Sequence, residues 1–238
     1  FLMNSIQLKI FVFVLMILEH FCKIFTNIVP QDIANIFAYT GRIVAPVFWY
    51  LSIIGLQNTR NKQHYLIRLF TFSILMYAGN FLLSNILTNV SIFQYSIQYN
   101  MFATIFLGVL SCYLLDLSKQ QHRYFYAFCS LLAFTLIFFT EGQFYAAGAY
   151  LIFYFFKRKT TLSIAYFLLC LCFFMLLNIS YQGQTFWNDG YQWMMLLALP
   201  FILIYNNKIG AYRLKYFFYT MYPLHIWIFY IIYHYTRI

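Results

Sequence analysis

Long apolar runs alternate with short polar breaks along the whole chain. The runs fall at 8–28, 43–58, 66–88, 100–117, 124–140, 143–156, 162–181, 191–206 and 216–235. A helix that crosses a bilayer needs about 20 mostly apolar residues. Runs of this length predict an all-α, polytopic integral membrane helical bundle of about nine transmembrane helices, in a single domain over 1–238. The run at 143–156 is short, which predicts a tilted or re-entrant helix. Residues 31–42 read as an interfacial helix and 89–99 as an aromatic interfacial loop. The first run lacks a small-residue cleavage site before Lys23 and carries Glu19 and His20 in its body. It is expected to stay as a helix rather than be removed as a signal peptide.

Composition sharpens the membrane assignment. Only 8% of residues are charged and 63% are hydrophobic, against about 25% charged in soluble domains. The aromatic share of 24% suits helices whose rings sit at lipid interfaces. A net charge of +10 would suggest nucleic acid in a soluble protein, but here the basic residues sit in short loops between apolar runs. No nucleic-acid partner is expected. With a cytoplasmic N-terminus, 12 of the 15 Lys and Arg fall on the cytoplasmic side: Lys9, and the loops at 58–68, 118–123, 157–161 and 206–215. Lys23, Arg42 and Arg237 fall on the other. That asymmetry predicts an inner-membrane-type, multi-pass protein with its N-terminus inside and its C-terminus outside, surrounded by membrane lipids. All five cysteines lie in apolar runs, and the pair Cys170 and Cys172 has no second ligand pair, so no metal site is expected.

Ionisable groups within spans are costly and point to function. Lys9 and His20 are 11 residues apart in the first run. Eleven helical steps close to within about 20° of three turns, so both project from one face, roughly 16 Å apart along the axis. His20 is a natural proton acceptor near neutral pH, or else an interhelical hydrogen-bonding histidine. Glu19 is either a partner in its chemistry or an ion-pair partner of Lys23 at i+4. Arg42, at the outer end of the second run, either clamps an anionic group or snorkels to the headgroups. Glu141 is an acceptor-site carboxylate or a solvated loop charge. In the last run, Pro223 frees a backbone carbonyl. His225 follows at middle depth, as a proton-handling or packing histidine.

These residues sit in stretches that together resemble the TraX family, membrane proteins associated with acetylation of conjugative pilin. The stretches are Leu8-Lys9 through Glu19-His20, Gly41-Arg42 through Pro46-Val47-Phe48, and Thr59-Arg60 to Tyr65-Leu66-Ile67-Arg68. Thr140-Glu141-Gly142, Leu199-Pro200 to Tyr205-Asn206, and Tyr222-Pro223-Leu224-His225 follow in the family's order. The family often has Asp before the first-span histidine, where this chain has Glu19. A basic residue, ten spacers and a histidine is also distantly similar to the first helix of the acyltransferase type 3 superfamily. There the basic residue is usually Arg; here it is Lys9, a point charge in place of a fork.

The resemblance implies acyl transfer across a membrane. An acyl group, expected to be acetyl, moves from cytoplasmic acyl-CoA to an amine or hydroxyl acceptor such as a pilin N-terminus or a surface glycan. Acetyl-CoA is a donor substrate, and no bound cofactor is expected. His20, Glu19 and His225 are the expected catalytic residues, with His20 as general base. Lys9 is assigned to the donor; Arg42, Glu141 and Tyr222 complete the substrate-binding set. Two other classes stay open: a transporter or flippase for an anionic or lipid-linked solute, and a non-enzymatic assembly factor for a surface filament.

Overall fold

The apolar runs become helices. The computed structural model describes residues 2–88, 100–180, 191–208, 210 and 214–236. Ten α-helices occur among them: α1 Ser5–Ile24, α2 Gln31–Gly41, α3 Val44–Asn58, α4 Lys62–Thr88, α5 Met101–Gln121, α6 Tyr124–Leu136, α7 Gln143–Phe155, α8 Lys159–Ser180, α9 Ala198–Ile204 and α10 Lys215–Thr236. The described residues contain no strand beyond a single bridge between Met3 and Tyr205. The expected interfacial loop at 89–99 lies outside the described residues.

Five stretches among the described residues are long and apolar enough to cross a membrane: Ser5–Ile24, Gln31–Asn58, Lys62–Leu87, Met101–Gln121 and Lys159–Leu176. The second of these joins α2 to α3, so the segment expected to lie along the interface is continuous in hydropathy with the helix after it. The run expected at 191–206 opens instead as a 3-10 helix, Tyr191–Leu197, before α9 begins. Pro200 explains the change. It has no N–H to donate to the carbonyl of Leu196, and its ring would crowd that carbonyl in a continuous α-helix.

Local signals set the helix ends. The Asn4 side chain accepts from the N–H groups of Ile6 and Gln7, while Gln7 accepts from the N–H of Asn4, a reciprocal cap that starts α1. Asn100 caps α5 through the N–H of Ala103. α5 stops at His122, whose φ of 51° is left-handed.

The chain divides into two compact units, Phe1–Tyr50 with Leu151–Leu214, and Leu51–Tyr150 with Lys215–Ile238. In the first, α1 packs on α2 and buries Leu8, Val12 and Met16. The N-terminus is tied to the segment after α9: Met3 N–H donates to Ile204 O at 3.0 Å, and Asn206 N–H to Met3 O at 3.0 Å. Lys159 Nζ donates to the carbonyls of Leu203 and Tyr205 at 2.5 and 3.0 Å, satisfying acceptors where α9 ends. Phe11 stacks on Phe201 with centroids 4.8 Å apart.

In the second unit, α5 packs against α4 and α6, and α10 packs on α4. Polar pairs join helices of this unit where apolar side chains alone gain little in lipid. Ser111 Oγ meets Ser130, Trp227 Nε1 donates to Asn80 at 2.8 Å, and the Ser52 and Tyr150 hydroxyls are 2.9 Å apart. Tyr150 lies against Gly108 so closely that a Cβ there would be 2.3 Å from the ring. Exposed large apolar residues crowd α4 and α8, among them Ile67, Phe70, Ile74, Phe167, Leu168 and Met175. A hydrocarbon surround accounts for apolar faces of this extent.

Candidate functional site

Helix α1 carries the groups that the sequence singled out first. His20 and Glu19 are buried, with 5% and 6% of their surface exposed. Lys9 is half-buried and makes no ion pair or hydrogen bond with any described residue. A cation held at a partly buried position without a carboxylate is unusual, since the desolvation cost is normally offset by pairing.

Glu19 sits at the centre of a charged cluster. Its Oε1 accepts from Lys23 Nζ at 2.8 Å and from Arg42 Nη2 at 2.6 Å. The Lys23 contact is the i,i+4 pair expected from the sequence; the Arg42 contact comes from the turn between α2 and α3. Arg42 uses its other nitrogens too. Nε donates to Ala38 O and Nη1 to Gln192 Oε1, each at 3.2 Å. The guanidinium lies over the Tyr191 ring, 5.2 Å from its centroid. Gly41 makes room for the pair: a Cβ on Gly41 would stand 2.2 Å from Glu19 Oε2.

The chemistry of this cluster follows from its charge count. One carboxylate faces two cations, so the group is net positive, and Glu19 acts as the counter-ion that fixes Arg42. Gln192, Tyr191 and Gly41 belong to the site and were not among the expected residues. Gly41 stood next to Arg42 in a quoted stretch, which was a weak local signal. Gln192 and Tyr191 are distant in the chain and left no signal.

The other expected residues belong to the second unit. Tyr222 is buried, and its hydroxyl accepts from Met101 N–H at 3.2 Å. Its ring packs edge-on against Phe102, with centroids 5.1 Å apart, and lies 5.8 Å from the His225 ring. His225 is also buried, and its Nδ1 is 2.9 Å from Met221 O. A carbonyl oxygen only accepts, so Nδ1 carries the proton and a neutral His225 presents a lone pair at Nε2. Such a ring takes a proton through Nε2, and donates from it only as imidazolium. Glu141 is exposed, on the turn before α7, beside Gly142, whose N–H donates to Thr104 Oγ1 at 3.2 Å. Thus the structure brings Glu19 to Arg42 and Tyr222 to His225, and leaves Glu141 on a surface turn.

A cavity of about 260 Å³ opens in the first unit, lined by Phe167, Cys170, Leu171, Phe174, Trp193 and Leu196. Its walls are apolar and include neither Lys9 nor His20. Among the described residues, no three His, Cys, Asp or Glu side chains gather as a metal site.

No curated protein and no solved structure matches the chain closely enough to show a relationship. A family model does match. The model described as TraX protein aligns with residues 5–233, nearly the whole chain, and the protein therefore belongs to the TraX family.

Proposed function

We propose that this chain is an integral-membrane acyltransferase that moves an acyl group, acetyl in the simplest case, from cytoplasmic acyl-CoA to an amine or hydroxyl acceptor. A pilin N-terminus and a surface glycan are the acceptor classes that fit the family. The chain would cross the bacterial cytoplasmic membrane about nine times with its N-terminus inside, as the distribution of Lys and Arg supports.

The observation that carries the reading is on α1. A buried imidazole, His20, shares a helix face with Lys9, a half-buried cation that no described carboxylate neutralises. In the proposed reaction Lys9 holds a negative group of the donor. His20 takes the proton from the acceptor N–H or O–H as the new C–N or C–O bond forms. The thioester C–S bond then breaks, and the proton passes to the leaving thiolate. The Glu19–Arg42–Lys23 cluster keeps net positive charge one residue from His20, where an acceptor carboxylate or a developing oxyanion would be stabilised. Tyr222 and His225 are assigned to substrate binding and proton handling, and Glu141 to the acceptor.

The test is transfer of labelled acetyl from acetyl-CoA by the purified full chain in lipid, read by mass spectrometry of pilin and surface polymers. Positioned general bases contribute ~10²–10⁴-fold, so His20→Ala should reduce transfer by that factor while elution and melting behaviour stay those of the wild type. Undiminished transfer in a folded His20→Ala protein would overturn the mechanism. Acetyl-CoA binding without transfer to any acceptor would overturn the activity.

A further inference from the structure

A second cation without a carboxylate partner lies in the other unit. Arg68 is on α4, two turns inside its start, and is half-buried. Its guanidinium carbon lies 5.6 Å from the ring centroid of Tyr65 and 5.6 Å from that of Tyr219. Both rings are held in place. The Tyr65 hydroxyl donates to Ser52 O at 3.3 Å, and Tyr219 stacks on Phe72 with centroids 5.0 Å apart. The Arg68 Nε is shielded from solvent and has no hydrogen-bond acceptor among the described residues.

The supply of anions decides what this means. The chain has five carboxylates against 15 Lys and Arg. Glu19 pairs with Lys23 and Arg42, and Asp116 approaches Lys62 at 3.7 Å. No described carboxylate pairs with Arg68, and the fifth, Asp189, lies outside the described residues. Cation–π contact offsets part of the cost of a desolvated guanidinium, while a bidentate anion satisfies both its charge and its fork. His64 is four residues before Arg68, on the same face and one turn nearer the helix start. A ligand reaching Arg68 along that face passes a second hydrogen-bonding side chain.

We propose that Arg68, framed by Tyr65 and Tyr219, is an anion site that takes a phosphate ester. A membrane protein meets this chemistry from two sources, an anionic lipid headgroup and a phosphorylated solute such as the CoA nucleotide. The proposal does not depend on the activity of His20.

The experiment uses the full chain in detergent and in lipid nanodiscs. Coenzyme A and inorganic pyrophosphate are titrated in detergent, and retained phosphatidylglycerol is counted by native mass spectrometry from mixed phosphatidylglycerol and phosphatidylcholine discs. Charge-assisted hydrogen bonds contribute about 1.5–3 kcal/mol, so Arg68→Gln should weaken the ligand that uses the site about 10- to 100-fold. Arg68→Lys should recover part of that loss, because it restores the charge and not the fork. Loss confined to coenzyme A and pyrophosphate identifies a soluble phosphate; loss confined to phosphatidylglycerol identifies the headgroup. Arginine-specific phenylglyoxal labelling of the wild type makes the test independent of how the variants fold, since bound ligand should slow modification of Arg68. Unchanged labelling with every probe, or binding by folded Arg68→Gln equal to wild type, overturns the proposal. His20→Ala should leave the binding intact whether or not it abolishes transfer.

Discussion

The closest contact in the α1 cluster makes Gly41→Ala an informative perturbation. The added Cβ would stand 2.2 Å from Glu19 Oε2 and 2.3 Å from Cδ, where ordinary contact begins near 3.4 Å. The carboxylate must retreat by about 1.2 Å. The end of a free glutamate would do so at little cost. This one is held by Arg42 at 2.6 Å and Lys23 at 2.8 Å, with 8% of its side chain exposed. A retreat of that size carries it past the short range of charge-assisted bonds, about 2.7–2.9 Å. Losing one such bond costs about 1.5–3 kcal/mol. Against this stands a gain of up to about 1 kcal/mol for Ala over Gly in a helix, reduced here because Gly41 is the last residue of α2. The net expectation is a loss of about 1–2 kcal/mol, or a fall in melting midpoint of roughly 2–8 °C for a chain of this size.

The assay is thermal unfolding of the detergent-solubilised full chain at a fixed scan rate, run as a double-mutant cycle with Glu19→Ala. With Glu19 truncated, the methyl that Gly41→Ala introduces no longer meets a carboxylate, and the cost of the substitution should vanish. Equal destabilisation in both backgrounds would show that the methyl strains the backbone rather than the ion pair. No destabilisation in either would show that Glu19 and Arg42 do not form the observed pair in the membrane protein.

Charge reversal at Lys9 should weaken acetyl-CoA binding at least tenfold with a smaller effect on turnover, by titration and steady-state kinetics, because the residue is assigned to holding the donor. Gly108→Ala should lower stability by about 1–3 kcal/mol, since the new methyl meets the Tyr150 ring, which is 1% exposed and fixed by Ser52; a wild-type melting curve would refute that packing. Lys159→Gln should cost about 1 kcal/mol, because it weakens two hydrogen bonds to Leu203 and Tyr205 carbonyls at an exposed position. Faster amide exchange confined to the segment after α9 would locate that effect.

Hydrophobic length is a local property, and it was readable without coordinates. A run of apolar residues must satisfy its backbone internally in lipid, so the positions of α1, α4, α5, α8 and α10 follow from side-chain chemistry alone. Helical periodicity likewise placed Lys9 and His20 on one face, and the i,i+4 rule paired Glu19 with Lys23. Arg42 marks the boundary of such reasoning. Its charge reads as the outer end of a span, and it does sit on the turn before α3, but Glu19 and Gln192, which bind it there, are brought by packing. Arg68 behaves the same way: Tyr65 is one helical turn away and visible in the sequence, whereas Tyr219 arrives on α10. A charge's cost in a membrane depends on its partners, and partners distant in the chain are chosen by packing. Which residues form helices is written in the chain locally; which charges are paired, and with what, is settled only when those helices meet.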